Sequence, residues 1–237
     1  MQLSKRLQTV ADMVTPGNRV ADIGCDHAYI SIYLAKRNIA PFIVAMDINQ
    51  GPIDRAKENI SRYGFSGRIA VRKSDGLQLL QTGEVDTILI AGMGGALMLE
   101  ILTKYPESLI SVKELILQPQ SEVHLVREAL SELGFMITEE NMVKDDGKYY
   151  ICIKAEAKEQ LKDVKPYELT KQEHIYFGRL LLEQRNPMLL EYLKHEKQQC
   201  ESIYKTLIAF PTEQSILRQK EITDEIKLIE QGFGYYK

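Results

Sequence analysis

Cysteine is scarce in this chain: Cys25, Cys152 and Cys200 are the only three in 237 residues, and no two lie close in sequence. That scarcity excludes a disulfide framework and a zinc cluster, so no metal is expected and the compartment reads as reducing. Long apolar runs are missing too. The opening Met1-Gln2-Leu3-Ser4-Lys5-Arg6-Leu7 lacks the apolar core of a signal peptide, and no stretch approaches the ~18 residues of a membrane span. A cytoplasmic protein with no membrane partner is expected. A basic excess is also lacking, since 30 Lys and Arg stand against 33 Asp and Glu for a net charge of −3. Nucleic-acid-binding domains usually carry a strong basic balance, so any RNA contact has to be a local patch. Lys5-Arg6, Lys36-Arg37, Arg55 with Lys57 and Arg62, and Arg68 with Arg72-Lys73 are the short basic runs available. Repeats and low-complexity segments do not occur, and 44% hydrophobic content suffices for one ordinary core plus an appendage.

What is present alternates. Leu3, Leu7, Val10 and Val14 recur at helical spacing until Pro16-Gly17 stops them. Strands are expected near 20–23, 42–46, 69–73, 87–91 and 115–117, with helices over 29–36, 52–63, 96–103 and 122–133 between them, the last capped by Gly134. Two more strands, 135–141 and 149–155, are joined across the hairpin-like 144–148. Such an order implies an α/β fold: a Rossmann-like sheet, mainly parallel, with one antiparallel strand. From about Glu159 only helical spacing remains. Leu189, Leu193, Cys200, Ile203 and Leu207, then Ile216, Ile222, Ile226 and Ile229 after Phe210-Pro211, predict an antiparallel helical hairpin whose first helix is near 23 residues, ~35 Å long. The expected domains are 1–158, holding the sheet, and 159–237, a helical hairpin or coiled coil.

In open α/β sheets, ligands sit at the carboxyl ends of the strands. Here each of the first four ends is polar or glycine-rich: Asp22 to Tyr29, Asp47, Asp75-Gly76 and Gly92 to Gly95. Asp22-Ile-Gly24-Cys25-Asp26-His27-Ala28-Tyr29 reads as a buried strand breaking into a glycine turn at a helix start. Asp47 closes the next strand about 20 residues on, the interval at which such folds place a ribose-binding carboxylate. Asp26 stands where a dinucleotide fingerprint needs glycine beside the pyrophosphate. Two like charges ~4 Å apart repel by about 4 kcal/mol at an effective dielectric of ~20, which disfavours NAD or FAD. A carboxylate there instead attracts a sulfonium and an ammonium, so the pocket is read as one for S-adenosylmethionine, without a phosphate to repel. Gly24 allows close backbone approach, Asp47 suits the ribose hydroxyls, and Asp75 suits the adenine amino group. Cys25, Asp26, His27, Ile48, Gly76, Ala91, Gly92, Met93 and Gly94 complete the expected cofactor set with Asp22.

The order of motifs resembles the class I S-adenosylmethionine-dependent methyltransferases, whose acidic-x-Gly-x-Gly-x-Gly turn is matched at Asp22 and Gly24 and departed from at Asp26 and Ala28. With Ile90-Ala-Gly-Met-Gly-Gly95, Leu117-Gln-Pro-Gln120 and Met1-x-Leu3-Ser4-x-Arg6-Leu7, the chain closely resembles the bacterial TrmK family across most of its length. The resemblance implies methylation of N1 of adenine 22 in tRNA, on a Rossmann-like domain followed by a coiled helical extension.

The fourth strand's end lacks the polar-Pro-Pro-aromatic motif of enzymes that methylate exocyclic amines, which suits attack by a ring nitrogen. Such a nitrogen attacks through a lone pair and loses no proton, so alignment matters more than a general base. Asp26, His27 and Tyr29 are the catalytic candidates, Asp26 as a carboxylate facing developing positive charge. Lys5, Arg6, Gly95, Gln118, Pro119, Gln120 and Tyr149 are the candidates for substrate contact, with the glutamines placed to read a base edge. Tyr149 and Tyr150 suit stacking. A small-molecule methyltransferase and a noncatalytic RNA-binding module are the alternatives. The oligomeric state stays open, with a monomer favoured.

Overall fold

The protein is described from a computed structural model over residues 2–161, 169–210 and 212–237. The chain divides into two compact units, Met1–Tyr167 and Glu168–Lys237.

In the first unit, Ser4 caps the opening helix α1 (Lys5–Asp12) by accepting from the Leu7 amide, as a serine at that position does for an otherwise unsatisfied donor. The sheet then builds through β1 (Val20–Ile23), α2 (Tyr29–Lys36), β2 (Ile43–Asp47), α3 (Gln50–Arg62), β3 (Ile69–Lys73), β4 (Thr87–Met93), α4 (Gly95–Lys104), β5 (Glu114–Pro119), α5 (Val123–Glu132), β6 (Phe135–Asp145) and β7 (Lys148–Ala157). Strand order is β3-β2-β1-β4-β5-β7-β6. The first five strands are mutually parallel, and β7 runs antiparallel to both its neighbours, making it the one reversed strand of a Rossmann-like sheet. β1, at the centre, pairs Val20 with Ile43 on one side and with Thr87 on the other. All four of its residues are buried, Asp22 the one polar member among them, as expected of a strand covered on both faces.

Strands β4 to β7 all run further than the spacing predicts. β4 continues past Ala91 because Gly92 forms a bulge, at φ 83°, after which Met93 still pairs with Pro119. Gln118 and Pro119 therefore lie inside β5, not beyond it. The hairpin is tighter than the five residues expected, since Asp145 pairs with Lys148 and only Asp146 and Gly147 turn, at φ 47° and 75°. Two consecutive left-handed residues with the sequence Asp-Gly give a two-residue turn whose twist matches the flanking strands.

The second unit holds α6 (Gln172–Phe177), α7 (Arg179–Glu183), α8 (Pro187–Ala209) and α9 (Glu213–Phe233). Asn186 caps α8 through the Met188 and Leu189 amides, and Thr212 and Ser215 form a reciprocal capping box on α9. Leu193 lies against Gly232, Lys197 pairs with Glu230, Cys200 donates to Glu225, and Gln219 donates to the Leu207 carbonyl. Ascending numbers on α8 meet descending numbers on α9, so the two helices are antiparallel. Leu189, Leu193, Cys200, Ile222 and Ile229 are buried, whereas Ile203 and Ile216, expected in the same stripe, are exposed near Phe210. The expected joint at Pro211 lies outside the described residues. Among the described residues no helix is long and apolar enough to cross a membrane.

Candidate active site

β1 ends in a loop that turns left-handed at every second residue: Gly24 at φ 70°, Asp26 at 44° and Ala28 at 57°. The shape that alternate glycines would give is thus kept with Asp and Ala in two of the three places, against the steric preference of side-chain-bearing residues. The amides of Gly24 and Cys25 both donate to the Met46 carbonyl, at 2.8 and 3.0 Å, and Asn59 holds the His27 carbonyl at 3.1 Å. At Gly24 a Cβ would be strained by the positive φ and would displace the Met93 methyl, so glycine is the residue that fits there with least cost.

Asp22 is committed to the core rather than to the cavity. It is buried and accepts from the Ser31 hydroxyl at 2.6 Å. Burial pushes its carboxyl up to about 6, opposed by the Ser31 hydrogen bonds and aided by nearby Asp47. Cys25 is likewise buried, with its thiol pushed well up by desolvation and then by the surrounding acids. Asp26 is exposed and pairs with Arg55 at 3.0 Å and with His27 Nε2 at 3.5 Å. The His27 ring stacks on Tyr29 at 5.3 Å between centroids.

A cavity of about 330 Å³ opens at the carboxyl ends of β1 to β4. It brings together Gly24, Asp47, Ile48, Asp75, Gly76, Ala91, Gly92 and Met93 of the expected set, but Asp22, Cys25, Asp26, His27 and Gly94 are not in its wall. Asp47 accepts from the Asn49 amide with Oδ1 at 2.9 Å, leaving Oδ2 without a partner among the described residues. Asp75 is held at 2.7 Å by Lys104. The spacing missed Ile23, Asn49, Ser74, Leu97 and Ile101. Leu97 and Ile101 were findable, being apolar and four apart on the helix that follows the glycine turn, so that both fall on one face. No lysine or arginine lines the cavity, so it offers carboxylate and apolar wall but no cation for a pyrophosphate.

The expected substrate residues surround the ends of β4 and β5. Arg6 donates through Nη1 to Gln118 Oε1 at 2.6 Å and sits over the Tyr150 ring, while Lys5 is exposed beside it. Gln118 is fully buried, and its amide nitrogen donates to the Pro119 carbonyl at 3.0 Å, so neither end of its amide faces solvent. Pro119 is buried and Gln120 exposed. Gly95 is buried where the backbone of Ser121 and Glu122 passes within 2.8 Å of where a Cβ would stand, so its lack of a side chain serves helix packing. Tyr149 is held by Lys144 at 3.1 Å.

A methyltransferase-domain family model matches residues 3–153. The tRNA (adenine(22)-N(1))-methyltransferase of Bacillus subtilis is 35% identical over 232 residues, 98% of this chain and 97% of its own length. The crystal structure of the B. subtilis m1A22 tRNA methyltransferase TrmK superposes with a TM-score of 0.82 at 35% identity, covering 98% of each chain. M. capricolum TrmK in complex with S-adenosylhomocysteine superposes at 0.83 and 27% identity, covering all of both chains. With an end-to-end relative, a shared fold and a cavity at the same strand ends that the motifs single out, the chain belongs to the TrmK family of tRNA (adenine(22)-N(1))-methyltransferases.

Proposed function

We propose that this chain methylates N1 of adenine 22 in tRNA, with S-adenosylmethionine as donor, and that it works in the cytoplasm as a monomer. The observation that carries the reading is the cavity at four adjacent strand ends, with Asp47 and Asp75 but no lysine or arginine in its wall, which suits an adenosyl ligand bearing a sulfonium better than one bearing phosphates. When bound, S-adenosylmethionine supplies an electrophilic methyl group. Asp47 then holds the ribose hydroxyls with its uncommitted oxygen, Asp75 and Ser74 face the adenine edge, and Leu97 and Ile101 cover its apolar face. Gly24, Ile48, Gly76 and Ala91 shape the floor, while Gly92 and Met93 bound the end nearest the transfer, with Gly94 just beyond them. Asp22, Cys25, Asp26 and His27 support the loop from outside the cavity wall.

The acceptor N1 attacks through its lone pair, a new N–C bond forms as the C–S bond breaks, and the electron pair leaves with sulfur. No proton needs removing, so the chain's task is alignment. The ring becomes cationic, and Asp26, exposed on the loop outside the cavity wall, supplies a carboxylate for that developing charge, with His27 and Tyr29 forming a stacked wall. Lys5, Arg6, Gly95, Gln118, Pro119, Gln120 and Tyr149 border the acceptor side, and the helical hairpin of 159–237 helps grip the RNA. N1 lies on the Watson–Crick edge, so a paired target has to be opened first.

The test is incubation with unmodified tRNA and labelled donor, then nucleoside digestion and mass analysis. Labelled 1-methyladenosine is expected. Donor binding without label in RNA would sink the tRNA reading and turn attention to small molecules.

A further inference from the structure

Arg6 lies beside Gly92 of the cavity wall, and its setting is unusual. Its backbone amide donates to Asp145 Oδ2 at 3.1 Å, which ties the first turn of α1 to the β6–β7 hairpin. Its guanidinium sits 5.3 Å above the Tyr150 ring and donates to Gln118 at 2.6 Å. Gln118 has no freedom to do otherwise. Fully buried, it gives its amide N–H to the Pro119 carbonyl, so its oxygen is the end left to face Arg6, and a flipped amide would oppose donor to donor. The guanidinium forms no ion pair with any described carboxylate, in a chain with more acids than bases. Nη1 lies 3.4 Å from where a Cβ on Gly92 would stand, and Gly92 is in the cavity wall. Stacked, hydrogen-bonded at one nitrogen and in direct contact with no carboxylate, although its charge adds to its own amide's hydrogen bond in holding the Asp145 carboxyl low, the group is oriented in advance with most of its five N–H donors uncommitted.

We propose that Arg6 binds a backbone phosphate at the target nucleotide, and that Gln118 and Tyr150 are positioning residues that aim its fork. This rests on the tRNA reading. A phosphate is the fitting ligand because a planar guanidinium matches two of its oxygens at once. A base ring is the poorer partner, since a strong donor directed at N1 would engage the lone pair that has to attack. The exposed Gln120, whose amide nitrogen lies 3.7 Å from the same Gly92 position, is the uncharged neighbour better suited to a base edge.

The experiment measures affinity for unmodified tRNA across a salt series and kcat on the same tRNA, with S-adenosylhomocysteine binding and thermal midpoint as controls, for the full-length wild type, Arg6→Ala, Arg6→Lys and Gln118→Met. Arg6→Ala is expected to weaken tRNA about tenfold and to flatten the slope of log affinity against log salt by about 0.7 to 0.9, one phosphate's worth of released counterion. Arg6→Lys should restore the slope with only part of the affinity, and Gln118→Met should lose affinity severalfold while keeping the slope, because the charge remains but is no longer aimed. An unchanged slope in Arg6→Ala overturns the proposal, whatever the affinity. So does a fall in kcat with tRNA affinity intact, which would put Arg6 on the reacting base. A wild type that binds no tRNA would instead overturn the tRNA reading itself. Should Arg6→Ala fail to fold, equal slopes for Arg6→Lys and a folded Arg6→Gln would overturn the phosphate assignment.

Discussion

The two ends of the parallel sheet treat their carboxylates in opposite ways. At the amino ends of the strands, Asp86 accepts from Arg19 at 2.8 Å and pairs with Lys113 at 3.0 Å, and its carboxyl is held well below the usual range chiefly by Arg19. Glu114 beside it is buried, which raises its carboxyl, yet hydrogen bonds from Thr15 and Thr87 and then Lys154 bring it below its ordinary value. Near the carboxyl ends, Asp22 is buried with only a serine hydroxyl and is raised to about 6. Asp47 keeps an oxygen unpartnered among the described residues, and Asp26 bends into a left-handed conformation. At one end the acids are buried and partnered by cations, which stabilises the fold; at the other Asp75 and Asp26 have only solvent-exposed partners in Lys104 and Arg55, while Asp22 and Asp47 have no cationic partner among the described residues, as suits a surface that has to meet a ligand.

The sharpest way to break that contrast is to remove a charge from each end in turn. Asp47→Ala is expected to weaken donor binding about a hundredfold, since two charge-assisted hydrogen bonds at about 1.5 kcal/mol each amount to about 3 kcal/mol, with little change in thermal midpoint. Titration calorimetry reads the first and a melting curve the second. Asp86→Asn should do the reverse, leaving donor affinity unchanged and lowering unfolding free energy by about 2 kcal/mol, because Arg19 and Lys113 lose their partner. The sign with pH follows from a depressed carboxyl. The stabilisation is complete above about pH 4, the unfolded value, and fades as pH falls toward the folded one. Urea midpoints for wild type and variant should therefore converge in acid.

Asp22 provides the opposite slope. Its folded carboxyl lies near 6 and its unfolded one near about 4, so between those values the unfolded chain has released a proton that the folded chain retains. Stability then falls as pH rises through that window, and the penalty persists at neutral pH. Asp22→Asn, which can still accept from Ser31, is expected to raise unfolding free energy at neutral pH by about 1–2 kcal/mol and to change nothing below about pH 4. Destabilisation at neutral pH, read by the same urea titrations, would mean that the buried carboxylate has a stabilising partner after all.

Much of this contrast could be read along the chain. Hydrophobic periodicity placed every strand of the sheet, and Gly24, Asp47, Asp75 and Gly92 stood out as strand ends because glycine and acid interrupt apolar runs. What spacing could not reach was contact between distant segments. Arg6 and Gln118 meet across more than a hundred residues, which turns an expected base-reading amide into an internal support. Ile101 enters the cavity wall only because α4 folds back over β3's end, where it packs against Gly76 at 3.1 Å from a built Cβ. Backbone conformation was hidden too. Asp26 and Ala28 depart from glycine in sequence but not in shape, because the loop imposes left-handed angles that the residue types alone do not announce.

Asp26 therefore carries the smallest and most discriminating prediction. Its side chain is exposed, its φ is 44°, and its ion pair with Arg55 is solvent-accessible at both ends, an arrangement worth little to stability. Glycine adopts that backbone without steric cost, though it loses more freedom on folding. Asp26→Gly should accordingly leave the fold unchanged or more stable by about 0.5 kcal/mol. If the carboxylate serves only the loop, turnover will be unaffected as well. If it faces the charge that develops on the methylated ring, single-turnover transfer should slow by about tenfold or more while donor binding holds. Asp26→Asn, which keeps the shape and removes the charge, should then match Asp26→Gly in rate. A normal rate in both would confine Asp26 to the loop, and would place the unsatisfied character of this end of the sheet in Asp22 and Asp47 alone.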